Sequence, residues 1–235
     1  MNKGKLYLIP TPISGEDFNT TILPSDISIV SNLKYFIVET PKIARAYLSS
    51  IKLSIPIQEV EMGIYDEHSK EEEIQDLIQP LMVGSDMGLM TDAGTPCIAD
   101  PGEEVVMVCQ KLGIEVIPMI GPSSIFLTLM ASGLYAEKFT FNGYLARKPN
   151  KRKRDLNMLL HRVYKGEGTQ IFIEAPYRNQ EMFKALLGLP GDILLCLGVD
   201  VTGENSKIVT QPINVWKQQR PVLGKVPIIF LIGRE

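Results

Sequence analysis

Residues 90–102 read Met-Thr-Asp-Ala-Gly-Thr-Pro-Cys-Ile-Ala-Asp-Pro-Gly, and they constrain the fold of this chain more than any other stretch. Residues 88–90 before them end like a buried strand, and the apolar spacing of residues 103–112 after them begins like a helix. The stretch is therefore a strand-to-helix loop. Gly94 and Gly102 accept backbone angles closed to other residues, Pro96 and Pro101 fix theirs, and Asp100 is placed to cap the helix behind it. In an open α/β sheet, ligands bind in the crevice beyond the carboxyl ends of the strands. The loop is then either a rigid wall of such a crevice, exposing backbone donors, or an ordinary capped turn.

The rest of the chain alternates in the same way. Strands are predicted over 5–9, 35–39, 57–61 and 114–118. Helices are predicted from Ser25 or Asp26 to about Leu33, over 41–50 with Pro41 in the first turn, and behind a Ser69-Lys70-Glu71-Glu72 capping box through Ile74, Leu77, Ile78 and Leu81. This β/α alternation calls for a mostly parallel sheet covered on both faces. A helix over 125–131 opens at Gly121-Pro122-Ser123-Ser124 and stops at Gly133, and the domain change is placed close to it. The second half continues with a strand over 138–145, a basic stretch, a helix over 155–164, a strand over 169–173 and a helix over 179–187. Strands over 193–199, 207–210 and 226–232 follow without predicted helices between them, so this sheet is expected to be mixed, with antiparallel pairs at its end.

Charge divides the chain too. Residues 1–118 carry 8 Lys and Arg against 18 Asp and Glu, whereas residues 119–235 carry 16 against 9. A basic half suits a polyanion such as RNA, and it is also what two differently solvated surfaces would look like. Arg147-Lys148-Pro149-Asn150-Lys151-Arg152-Lys153-Arg154 concentrates six of those cations, as either a phosphate track or a solvated face. His68 and His161 are the only histidines, which excludes a histidine metal cluster. Cys97, Cys109 and Cys196 suggest neither a disulfide framework nor a zinc site. No metal is expected. No apolar run approaches the roughly 18 residues of a membrane span, and the first residues lead into a strand instead of a signal-peptide core. The expectation is a cytoplasmic chain without membrane contact. Neither Gly-x-Gly-x-x-Gly after the first strand nor Gly-x-x-x-x-Gly-Lys occurs, so a Rossmann-type or P-loop nucleotide site is not expected.

Five blocks occur in order: Leu6-Tyr7-Leu8-Ile9-Pro10-Thr11-Pro12-Ile13, Thr91-Asp92-Ala93-Gly94-Thr95-Pro96 with Ala99-Asp100-Pro101-Gly102, Ile120-Gly121-Pro122-Ser123-Ser124, Phe141-Asn142-Gly143-Tyr144-Leu145, and Phe172-Ile173-Glu174-Ala175-Pro176-Tyr177-Arg178. Together they resemble the tetrapyrrole methylase superfamily, and within it the ribosomal RNA small subunit methyltransferase I branch. The resemblance implies two α/β domains, 1–118 and 119–235, with S-adenosylmethionine in the cleft between them. It implies methylation of a ribose hydroxyl of small-subunit ribosomal RNA by a homodimer.

By the same resemblance, the methionine end of the cofactor lies against Pro10, Asp92, Ala93, Gly94, Thr95, Pro96, Ile98 and Ala99. Ser123 and Ser124 hold its carboxylate at a helix start. The adenosine rests near Glu174, Val201, Thr202 and Pro227. A hydroxyl acceptor needs a base, and Glu39 and Asp92 at predicted strand ends are the candidates; Glu39 is alternatively a cap for the next helix. Arg45 and Arg178, with Arg147 and Lys148, would contact substrate. Two loops depart from the branch: Pro12-Ile13-Ser14-Gly15-Glu16-Asp17 replaces Pro-Ile-Gly-Asn, and Glu39-Thr40-Pro41-Lys42 replaces Glu-Asp-Thr-Arg. These departures leave two alternatives: methylation of a small molecule such as a tetrapyrrole, and a non-catalytic RNA-binding relative.

Overall fold

A computed structural model describes residues 2–14 and 22–234. The backbone forms two compact units, Met1–Ser123 and Ser124–Glu235; the sequence reading placed the cut near Pro118.

In the first unit the strands β1 (Leu6–Ile9), β2 (Tyr35–Val38), β3 (Glu61–Ile64), β4 (Met87–Met90) and β5 (Val116–Pro118) form one sheet in the order β3-β2-β4-β1-β5. Every pairing is parallel. Side chains alternate across this sheet. Tyr7, Ile9, Phe36, Val38 and Met90 face one core with Val30 of α1 (Pro24–Val30) and Ala44, Tyr47 and Leu48 of α2 (Pro41–Ser50). Leu6, Ile37, Met87 and Leu89 face the other, with Ile74 of α3 (Ile74–Leu77), Leu81 of α4 (Gln79–Met82) and Val105, Val108 and Cys109 of α5 (Glu103–Lys111). Both faces are thus covered, as a parallel sheet requires.

The second sheet runs β6-β7-β10-β8-β9, built from β6 (Phe139–Tyr144), β7 (Thr169–Ile173), β8 (Leu194–Val199), β9 (Lys207–Pro212) and β10 (Ile228–Gly233). Only β6 and β7 are parallel; the other pairings are antiparallel, so the sheet is mixed as expected. On one face Phe172, Leu195, Leu197 and Phe230 pack with α7 (Pro149–Tyr164), α8 (Asn179–Leu186) and α9 (Ile213–Gln219). On the other, Ile171, Cys196, Ile229 and Leu231 pack against Ile125 and Leu129 of α6 (Ser124–Ser132). Among the described residues no helix is long and apolar enough to cross a membrane, and no group of three metal-binding side chains occurs.

Several local expectations are corrected. Pro56 leads into a 3-10 turn at Ile57–Glu59, and the third strand starts later, at Glu61, where it pairs with Tyr35. The proposed capping box does not form: the Ser69 hydroxyl donates to the Asp66 carboxylate, and the helix behind it breaks into α3 and α4. Gly102, with φ +126°, occupies the cap position of α5, and no side chain caps that helix, so Asp100 does not serve there. Helix α7 starts at Pro149 and carries the basic stretch in its first turns. The α9 helix was not anticipated; buried Ile213 and Trp216 hold it, the indole N–H donating to the Leu195 carbonyl at 3.0 Å.

Candidate active site

Parallel pairing brings the carboxyl ends of β1, β2, β4 and β5 to one edge of the first sheet. Pro10, Glu39 and the loop from Thr91 onward therefore come together there. Thr11 and Gly94 form an isolated antiparallel bridge, N to O at 2.8 Å one way and 3.1 Å the other. The Thr11 hydroxyl adds a bond to the Thr91 carbonyl at 3.2 Å. Gly94 has φ +81°, a conformation that disfavours a side chain. Gly121 lies so close to Pro10 that a Cβ there would meet the Pro10 Cβ at 2.1 Å. Further along the loop Cys97 (φ 65°) and Ala99 (φ 66°) take left-handed conformations without being glycine. Such backbone strain persists only where surroundings enforce it, and it gathers at ligand sites.

Three carboxylates share this edge. Asp92 accepts from the Thr40 backbone N–H (3.1 Å, Oδ1) and the Thr40 hydroxyl (2.7 Å, Oδ2). Glu39 Oε2 accepts from the Thr91 hydroxyl at 3.2 Å and the Asp92 N–H at 3.4 Å. Glu39 thus turns back toward β4 instead of capping α2, whose start has no side-chain cap bond. Burial, with the Asp92 charge beside it, pushes the Glu39 carboxyl upward from its ordinary range. Asp100 is pushed up to about 6, by burial first and then by Glu39, with the Thr91 hydroxyl partly offsetting both. The sequence reading missed Asp100, Thr91 and Thr40 as site groups. Thr40 carried a signal, since it precedes Pro41 at a helix start. Ala93, Ile98 and Ala99 are exposed along the same loop, Thr95 is half-buried and Pro96 buried. Arg45 is exposed on α2. Ser123 and Ser124, both half-buried, stand at the start of α6. Gly15, Glu16 and Asp17 of the departing loop lie outside the described residues.

The second sheet gathers the other candidates at one of its own ends. Ile173 pairs with Ile229 and Ile228 with Val199, so Glu174, Pro227 and Val201 are neighbours there. The Asp200 N–H donates to the Pro227 carbonyl at 2.9 Å, and Asp200 (φ 47°) and Thr202 (φ 74°) are both left-handed. Glu174 forms an ion pair with Arg178, the carboxylate being 0% and the arginine side chain 12% exposed. Arg178 is thereby committed to Glu174 and is not a free surface cation. Glu174 Oε2 and Arg178 Nε are buried without a protein partner. Asn179 Nδ2 donates to the Val226 carbonyl at 2.7 Å, fastening α8 to the segment before β10. Arg147 and Lys148 are exposed where the chain enters α7. Within that basic stretch Arg152 is the exception: it is 4% exposed and pairs with Glu181 at 2.5 Å.

No family profile matches the chain. Among curated proteins it is 29% identical over 230 residues to ribosomal RNA small subunit methyltransferase I of Bacillus subtilis, covering 96% of this chain and 74% of that protein. It is 31% identical over 186 residues to the protein of the same description from Vibrio cholerae, covering 79% of this chain and 60% of that one. Among solved structures it superposes on cobalt precorrin-4 methyltransferase, a cobalamin biosynthetic enzyme, with a TM-score of 0.60 at 14% identity, over 97% of this chain and 94% of that one.

Proposed function

Because the chain belongs to the tetrapyrrole methylase superfamily, on the branch of the ribosomal RNA small subunit methyltransferase I proteins, we propose that it methylates a ribose 2′-hydroxyl of small-subunit ribosomal RNA, with S-adenosylmethionine as donor. The observation that carries this reading is the loop around Gly94, clipped to Thr11 at the carboxyl edge of an all-parallel sheet. Gly94 itself is buried, its N–H and C=O both bonded to Thr11, while Ala93, Ile98 and Ala99 of the same loop are exposed and offer a ligand a wall of small and apolar residues. S-adenosylmethionine supplies a methyl group already activated on a sulfonium, which leaves the protein to bind, orient and remove a proton.

The residues present suit that donor. Residues 92–96, Ile98, Ala99, Pro10, Ser123 and Ser124 would hold its methionine portion; Glu174, Val201, Thr202 and Pro227 would hold the adenosine. The unpartnered Glu174 Oε2 and Arg178 Nε are one acceptor and one donor available to a ligand. Glu39, Asp92 and Asp100 have no ion-pair partner among the described residues, so their field favours a cationic ligand over a neutral one. Both Asp92 oxygens are taken by Thr40, which makes it the positioning carboxylate. Glu39, held upward in pKa, is the group proposed to accept the hydroxyl proton. Arg45, Arg147 and Lys148 would contact phosphate. A homodimer working in the cytoplasm, where ribosomal subunits are found, completes the proposal.

Calorimetry with S-adenosylmethionine and S-adenosylhomocysteine tests it first. Both ligands bind wild-type protein, and Gly94→Trp binds neither. Labelled methyl then enters small-subunit particles, and Glu39→Gln stops the transfer while still binding the donor. No binding of either ligand, or no methyl incorporation, refutes the reading. Incorporation into a small molecule but not into particles would favour the tetrapyrrole alternative.

A further inference from the structure

The second unit exposes two tyrosines whose rings no part of the site described above uses. Tyr144 ends β6 and is 60% exposed; Tyr177 follows β7 and is 66% exposed. Parallel pairing aligns Tyr144 with Ile173, four residues before Tyr177, so both rings stand at the same end of the sheet. The Arg178 guanidinium lies over the Tyr177 ring at 5.5 Å. Immediately after β6 come Arg147, Lys148, Lys151 and Arg154, all exposed. Their setting is firm: the Asp155 carboxylate accepts from the Ala146 N–H at 2.9 Å, and Arg152 anchors the helix inward on Glu181. This end of the sheet therefore carries two exposed aromatic rings, and the segment that leaves it after β6 carries four exposed cations.

Cations alone bind any polyanion. Exposed aromatic faces add a selection, because only unpaired bases can stack on them. A duplex keeps its base faces covered. We infer that this edge of the second unit binds an unpaired stretch of RNA, with bases stacking on Tyr144 and Tyr177 and phosphates following the first turns of α7. The inference rests on the proposed ribosomal RNA substrate and specifies the form in which that RNA is presented.

The test is fluorescence anisotropy with a short single-stranded RNA, the same strand annealed in a duplex, and heparin as competitor. Wild-type protein binds the single strand at least tenfold more tightly than the duplex. Tyr144→Leu and Tyr177→Leu each weaken single-strand binding about tenfold, while Tyr144→Phe and Tyr177→Phe bind as wild type. Lys151→Ala lowers the slope of log affinity against log salt by about 0.7. Equal affinity for the duplex, or leucine variants that bind like wild type, overturns the inference and leaves a plain polyanion surface. Donor calorimetry on the same variants reads the methyl-transfer proposal separately. A protein that discriminates single strands yet binds no S-adenosylmethionine would sink that proposal and leave this one standing.

Discussion

The two sheets have five strands each, but the edges that carry the candidate residues are held in different ways. In the first unit the edge is made by backbone: the Thr11–Gly94 bridge, Gly121 against Pro10, and left-handed residues at 94, 97 and 99. Its carboxylates gather without an ion-pair partner among the described residues. In the second unit left-handed residues recur at 200 and 202, but what fastens the edge is buried side-chain pairing: Glu174 with Arg178, Arg152 with Glu181, and Asn179 on Val226. A ligand edge built of backbone tolerates changes of side chain and fails at glycine. One built of buried pairs fails when either partner is lost, because the remaining charge is then stranded.

The strongest way to break the comparison is Arg178→Ala, which leaves Glu174 charged and buried. A loss of about 3–5 kcal/mol is expected in urea unfolding monitored by circular dichroism. Next comes Gly121→Ala. The added Cβ cannot avoid the rigid Pro10 ring, and a loss of about 1–3 kcal/mol is expected, together with weaker donor binding in calorimetry.

Asp100→Asn sharpens the contrast from the other side. A carboxyl whose pKa is raised on folding stabilises the fold while protonated, and that contribution is lost as pH rises from about 4 through about 6. Asparagine removes the charge that burial disfavours. The variant is expected to be more stable than wild type at pH 7 by about 1 kcal/mol, the gap closing below about pH 4 in thermal melts across pH. Smallest of all is Lys151→Ala, exposed on α7, with a stability change within about 0.5 kcal/mol by the same melts.

Most of the architecture was legible because burial on both faces leaves a plain signature: Met87–Met90 is continuously apolar and fully buried, as a central parallel strand must be. The loop from Thr91 was legible through its glycines and prolines. Partner choice was not. Asp100 before a helix reads as a cap, yet its carboxylate lies among Glu39, Asp92 and Thr91, residues remote in sequence. Arg152 reads as one cation in a run of six. Only the positions of Leu156, Leu159 and Val163, four, seven and eleven residues on and all buried, show that it faces inward. Likewise 207–232 lacks a strong helical stripe, and α9 is held by two residues whose contacts are tertiary.

The bridge between Thr11 and Gly94 also has a mechanical meaning. Two rungs rivet the loop after β1 to the loop after β4, and Pro10 seated against Gly121 rivets the loop after β5 to the same body. Three segments far apart in sequence then yield together or not at all. A ligand that stiffens one should slow amide hydrogen exchange at Thr11 and Gly94 by the same factor, although 82 residues separate them along the chain.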